Sequence, residues 1–212
     1  MSGTWARRLG LSLPLRGALA LACVLASPPP STGEVLRLEP TATKVRFTLG
    51  ATLHEVEGFF DLTRGEIHFD PGTGEASGRV VVAAASGDTA NAKRDKKLHD
   101  KVLESERFPE IVFVPRRLEG EFLPEGDSEV RIHGTIELHG DRHEIVIPAS
   151  VHVEGSRLTG TARFTIPYVA WGMKDPSVFV LRVEKEVRIT LDLDGTVLSE
   201  PRVVKSGPGP MH

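Results

Sequence analysis

The sequence predicts an all-β domain, namely an antiparallel barrel of about eight strands with one short helical insertion. Three observations predict it: apolar and polar residues alternate along most of the 212-residue chain, turn-forming residues separate the alternating runs, and one charged stretch at residues 89–107 departs from the alternation. Strands with one solvated face are antiparallel, and closing them into a barrel removes exposed edges. A β-sandwich explains the same periodicity, so the alternation leaves both architectures open.

Each predicted strand has apolar residues at every second position, which form the face expected to point inward. In chain order these apolar faces contain Val45, Phe47 and Leu49; Val130, Ile132, Ile136 and Leu138; Ile145, Ile147, Ala149, Val151 and Val153; Leu158, Ala162, Phe164 and Ile166; and Val187, Ile189, Leu191 and Leu193. Between the runs lie the turn sequences DPGTG at 70–74, PEGD at 124–127, HGDR at 139–142 and EGS at 154–156.

The stretch at residues 89–107 is predicted to be helical. Leu98, Val102 and Leu103 form a weak helical stripe among charged residues, and Pro109 ends the helix before the next strand. Lysines and arginines cluster at residues 93–101. They predict either a rim that attracts an anionic head group, with Arg94 able to grip a phosphate bidentately, or an ordinary solvated helix face.

The first 26 residues are predicted to be a secretory signal peptide. Three arginines precede the apolar run at residues 17–26, which is too short to cross a bilayer, and we place cleavage after Ala26. The protein is therefore expected to be exported to the periplasm or the medium. Cleavage before Cys23, the only cysteine, would instead leave a lipid-anchored protein.

The rest of the chain is predicted to be one domain at residues 34–198. Residues 27–33 form a linker rich in proline and serine, and residues 199–212 form a flexible tail. The composition, 40% hydrophobic and 26% charged, is typical of a globular protein. A net charge of −3 argues against nucleic-acid binding.

The histidines give little support for a catalytic site or a metal site. His139 and His143 flank a turn, and neither a cysteine nor a third ligand accompanies them, so we expect no metal. His54 shares a strand face with Val56 and Phe60 and is expected at the barrel rim or pointing inward, as a hydrogen-bonded structural residue. The alternative is a hydrolase or isomerase that uses His54 with a carboxylate. Since no nucleophile motif is present, we expect no catalytic residues.

Aromatic residues supply the candidate lining of the interior. Phe47, Phe113 and Phe164 fall on apolar strand faces, where they suit a packed core or an apolar cavity equally well. The loop at residues 168–176 contains Tyr168 and Trp171, and exposed loops rarely carry so much apolar surface. It is expected either to plug one barrel end or to flank a ligand entrance.

Several of these stretches, in this order and spacing, resemble the YceI-like family of secreted bacterial proteins over residues 36–195. The resemblance is carried by VRF at 45–47, HEVEG at 54–58, GEIHFD at 65–70, NAKRD at 91–95 with Leu98, FP at 108–109 leading into IVF at 111–113, IHG at 132–134 and Gly172.

This resemblance implies an extended, eight-stranded, lipocalin-like barrel that binds a polyisoprenoid or similar amphiphilic lipid and has no cofactor. The expected ligand-binding residues are Phe47, Phe60, Phe113 and Phe164 along the chain, Tyr168 and Trp171 near an entrance, Arg94 and His99 near the head group, and His54. A barrel filled by its own side chains that binds nothing is the alternative, and a homodimer is left open beside a monomer.

Overall fold

The computed structural model describes residues 33–52, 54–177 and 182–200. The predicted signal peptide with Cys23, linker residues 27–32 and the tail from residue 201 lie outside the described residues. The described strands are β1 (Gly33–Leu38), β2 (Lys44–Gly50), β3 (Glu55–Phe60), β4 (Leu62–Phe69), β5 (Ala76–Ala83), β6 (Glu110–Glu119), β7 (Gly126–Leu138), β8 (Asp141–Glu154), β9 (Arg157–Ile166) and β10 (Val187–Glu200). Strand structure thus extends slightly beyond the expected domain limits of 34–198.

Eight of these strands close into an antiparallel barrel, as the sequence predicts. The ring runs β1-β4-β5-β6-β7-β8-β9-β10, and pairing of β1 with β10 closes it. Closure rules out the alternative sandwich. β2 and β3 are two additional strands, which pair with each other, while β2 also pairs with β10.

The two additional strands extend the barrel at one end, because β10 is long enough to pair with two strands along the same edge. Residues 188–192 of β10 pair with β2, and residues 195–200 pair with β1. A turn separates β1 from β2 and is fixed to β10: the amide of Glu39 and the hydroxyl of Thr43 both donate to the Asp194 carbonyl, at 2.8 and 3.0 Å. The wall of the barrel therefore continues past the closed ring.

The alternating sequence pattern becomes an apolar interior and a charged exterior. In β8, Ile147, Ala149, Val151 and Val153 are buried, while the residues between them are exposed. Burying such a side chain contributes about 1.5–3 kcal/mol. Histidines predicted on the polar faces meet acids there: His133 lies 2.6 Å from Glu119, and His152 lies 2.7 Å from Asp127.

The predicted helical insertion is present between β5 and β6. It consists of α1 (Ala92–Lys97), which continues into a π-helical turn (Leu98–Leu103). Asn91 caps α1, since its side-chain oxygen accepts from the Arg94 amide at 3.2 Å. Val102 and Leu103 are buried, so the predicted apolar stripe faces the protein. Within the described part of the chain, no helix is long and apolar enough to cross a membrane.

Candidate functional site

The closed ring surrounds a cavity of about 160 Å³. All eight ring strands contribute apolar side chains to its wall, including Phe113 from β6 and Phe164 from β9. Thr43 is the one polar residue among the described residues that line it, and its hydroxyl is already bonded to the Asp194 carbonyl. An apolar chain fits such a wall, because a polar group placed there would find few hydrogen-bonding partners.

A second cavity, of about 270 Å³, lies in the extended end of the barrel. Its wall combines β2 and β3, the helical insertion and the segment between β9 and β10, which is described at residues 167–177 and 182–186. Most of the lining is apolar, with Phe47, Leu98 and Met173 from these three parts. Its polar lining residues are Thr89, Arg94, Lys97 and Tyr168, two of them charged, whereas Thr43 is the one polar residue among the described residues of the first lining. The interior is thus apolar at one end and partly charged at the other.

Arg94 is positioned by the turn that precedes α1. Its Nε donates to the hydroxyl of Thr89 at 2.7 Å, and its Nη2 donates to the Thr89 carbonyl at 2.8 Å. The carboxylate of Asp95 accepts from both the hydroxyl and the amide of Thr89. These hydrogen bonds, led by the one from the Thr89 hydroxyl, hold the pKa of Asp95 below its usual value, and the charge of Arg94 adds to the effect. A guanidinium held in this way is available to a ligand without further ordering.

Lys97 and Tyr168 tie the segment between β9 and β10 to the rest of this end. The Nζ of Lys97 donates to the Pro176 carbonyl, which connects α1 to that segment. The hydroxyl of Tyr168 donates to the Glu184 carbonyl at 2.7 Å. Burial, with a contribution from the charge of Asp175, raises the pKa of Tyr168 to about 12. Tyr168 therefore ties the beginning of this segment to residue 184 near its end.

The structure brings six of the nine predicted site residues to the cavity walls. Phe60, Phe113 and Phe164 line the first cavity, and Phe47, Phe60, Arg94 and Tyr168 line the second. Whether a ligand contacts them remains a prediction.

Three predicted residues lie outside both linings. His54 is exposed just before β3 begins at Glu55, so the expected inward face starts at Val56 instead. Both ring nitrogens of His99 have partners, since Nε2 lies 2.9 Å from the Gly87 carbonyl and Nδ1 lies 3.3 Å from the Ser105 hydroxyl. These contacts tie the insertion together.

Among the described residues, no group of three or more candidate metal ligands is present.

Trp171 is the third residue, and it packs beside the second cavity instead of lining it. Its ring stacks on His143, with centroids 4.1 Å apart and planes at 2°. The contact joins the segment between β9 and β10 to β8. The stack thus fastens Trp171 to β8, and whether this loop plugs one barrel end or flanks a ligand entrance stays a prediction.

Thr89 and Lys97 are lining residues that the sequence analysis did not single out. The helical spacing of the insertion predicts part of this lining. Arg94, Leu98 and Val102 recur every four residues and all line the second cavity, so the apolar stripe also marks the face of α1 from which Arg94 projects. Thr89 lies before the helix, where no periodicity marks it.

Fold and interior together define a closed antiparallel β-barrel with an apolar cavity. The family model for the YceI-like domain matches residues 36–194, so the chain belongs to the YceI-like domain family. No curated protein sequence matches the chain.

Solved structures from three bacteria share the fold. BcnA of Burkholderia cenocepacia is 19% identical with a TM-score of 0.60, covering 76% of this chain and 99% of its own. A polyisoprenoid binding domain from Saccharophagus degradans, implicated in plant cell wall breakdown, is 18% identical with a TM-score of 0.62, covering 76% and 97%. The YCEI protein of Campylobacter jejuni is 19% identical with a TM-score of 0.55, covering 68% and 86%. At such identities the likeness concerns the fold.

Proposed function

We propose that this protein binds a polyisoprenoid or a similar amphiphilic lipid, with the apolar chain inside the barrel and the head group beside Arg94. The observation that carries the proposal is the polarity of the interior: the first cavity is almost wholly apolar, and among the described lining residues the charged ones belong to the second. The Saccharophagus degradans relative, described as a polyisoprenoid binding domain, supports the same class of ligand.

Affinity in this proposal comes from burying the lipid chain. Each Å² of apolar surface removed from water contributes about 25 cal/mol, from which the cost of ordering a flexible chain is subtracted. A rigid barrel reduces that cost on the protein side, because the lining strands are already hydrogen-bonded to their neighbours.

The head group in this proposal is a hydrogen-bond acceptor, because Arg94 and Lys97 are donors without acceptor capacity. A phosphate or another oxygen-rich group suits the planar guanidinium of Arg94. Asp95 offsets part of this positive charge, so the site also suits a neutral polar head.

In this proposal the protein is first exported by means of its N-terminal segment. It then holds its ligand and carries out no catalytic step. The barrel then keeps an insoluble lipid chain out of water.

The test is to purify the protein gently, record its native mass spectrum and extract the same sample with organic solvent. A discrete added mass that yields isoprenoid fragments supports the proposal. A bare protein mass, together with failure to take up added isoprenoid alcohols, overturns it and favours a barrel filled by its own side chains.

A further inference from the structure

The two cavities are separated by very few side chains. Of the described residues, four line both cavities: Phe60 from β3, Ile111 from β6, Ile166 from β9 and Ile189 from β10. These residues come from opposite walls of the barrel, so they form a constriction between the apolar end and the partly charged end.

Phe60 is the largest of the four, and its ring is braced from the side of the second cavity. The centroids of the Phe60 and Phe47 rings lie 5.1 Å apart with planes at 38°. Phe47 lines only the second cavity and is buried. Aromatic pairs at this separation attract each other beyond the effect of burial, so Phe47 favours the dividing position of the Phe60 ring.

Two glycines leave the space that both rings occupy. A Cβ at Gly87 would lie 2.6 Å from Cε1 of Phe60, and a Cβ at Gly58 would lie 2.4 Å from Cζ of Phe47. Gly58 pairs directly with Phe47 across β2 and β3. A larger residue at either position would displace the ring beside it. Glycine at both positions therefore allows the two rings to lie at the constriction.

Neither cavity alone is as large as a usual ligand pocket. Each cavity, at about 160 and 270 Å³, is smaller than a usual ligand pocket of roughly 300 Å³ or more, whereas the two together reach that range. A short apolar chain fits on one side of Phe60. A long chain with its head group at Arg94 has to displace the Phe60 ring to enter the first cavity.

We propose that Phe60 is a specificity-determining residue that disfavours long ligand chains relative to short ones. The inference rests on the proposed lipid-binding function and adds a selection by chain length. Replacing the ring with a smaller side chain joins the two cavities and removes the cost of displacing it for long chains only.

The experiment is a competition between farnesol, which has a short isoprenoid chain, and solanesol, which has a long one. Wild type, Phe60→Leu and Phe60→Ala are incubated with an equimolar mixture in mild detergent, and the bound alcohols are extracted and quantified. We expect both substitutions to raise the bound ratio of solanesol to farnesol by about tenfold, the scale on which small changes in an apolar pocket discriminate.

Phe59→Leu is the matched control, because Phe59 precedes Phe60 on β3 but is 46% exposed and lines neither cavity. It leaves both cavities and the constriction unchanged, so its ratio should equal that of wild type. Circular dichroism checks that each variant is folded, and Phe60→Leu serves if Phe60→Ala is not.

An unchanged ratio in a folded Phe60 variant would overturn the role of Phe60, as would an equal rise in Phe59→Leu. Failure of the wild type to bind either alcohol would instead overturn the proposed function, and the role of Phe60 with it. The two failures are therefore distinguishable.

Discussion

Arg94 donates two hydrogen bonds to a single residue, Thr89: Nε reaches the hydroxyl at 2.7 Å, and Nη2 reaches the carbonyl at 2.8 Å. Thr89 is buried, and both residues line the second cavity. The Thr89 hydroxyl donates in turn to Asp95, so one side chain orients both a cation and an anion. This relationship fixes a guanidinium at the end of an otherwise apolar interior, which is the arrangement that an amphiphile requires.

The first prediction concerns this guanidinium. Arg94→Gln removes the charge and the fork of donors, so affinity for farnesyl phosphate should fall about tenfold relative to affinity for farnesol. The two ligands share one chain, and their comparison isolates the head group. Binding is measured for each by native mass spectrometry.

Lys96→Gln is the control for this comparison. Lys96 lies on the same helix, pairs with Asp100 at 2.6 Å on the exposed side and lines neither cavity. Its replacement should leave both affinities unchanged. Equal losses for phosphate and alcohol in Arg94→Gln would contradict the head-group role.

A second prediction concerns the apolar wall of the first cavity. Phe113→Asp places a carboxylate among apolar side chains, where it lacks partners and must be solvated or protonated. Lipid retention should be lost, as measured by extraction of the purified variant. Phe113→Ser makes the milder change and should weaken retention in the same direction.

Val146→Asp provides the matched comparison for Phe113→Asp. Val146 is 44% exposed on β8, so the same carboxylate there meets water. This variant should retain lipid like the wild type. Undiminished retention in a folded Phe113→Asp protein would show that the chain does not lie against Phe113.

The sequence predicted antiparallel strands with one buried face, because apolar and polar residues alternate along β8 and β9, but this alternation left a sandwich open until the pairing of β1 with β10 was seen. It also located the insertion through Leu98, Val102 and Leu103. It did not reveal that the turn between β1 and β2 is fastened to Asp194, since a hydrogen bond between residues 43 and 194 leaves no local pattern. The extension of the barrel, and with it the second cavity, depends on that long-range pairing.

Single side chains were harder to place than strands. His54 was expected on the face of Val56, at the rim or pointing inward, and it is exposed just before the strand begins at Glu55, where alternation no longer constrains a residue. The position of His99 depends on Gly87 and Ser105, its partners in the folded insertion. Arg94 was identified by charge alone, and its anchor Thr89 became visible only once the turn before α1 was folded.

A third prediction concerns stability in acid. Hydrogen bonds from Thr89 lower the pKa of Asp95 below its ordinary value of 3.8, which means that the folded state favours the carboxylate. The stabilisation is present above that value and is lost as the pH falls through the lowered pKa. Asp95→Asn should therefore reduce the free energy of unfolding at about pH 6, with a deficit that shrinks towards about pH 3.

Urea denaturation of both proteins at the two pH values measures this deficit. Asp141→Asn is the control, because Asp141 lies exposed at the turn between β7 and β8. It should change stability little at either pH. A deficit in Asp95→Asn that is the same at both pH values would show that its ionisation is not coupled to folding.

The last prediction uses Tyr168, which is the only tyrosine in the sequence. Burial raises its pKa from the ordinary 10.0 to about 12, so the tyrosinate absorbance of the folded protein should rise with a midpoint near 12. In urea the midpoint should return to 10.0, because the burial is gone. The same difference means that stability declines as the pH rises above 10.0, since the unfolded chain ionises first.

Circular dichroism at each pH separates titration of the folded protein from unfolding. A midpoint near 10.0 in protein that is still folded would show that the hydroxyl is solvated, and that Tyr168 does not keep its hydrogen bond to the Glu184 carbonyl.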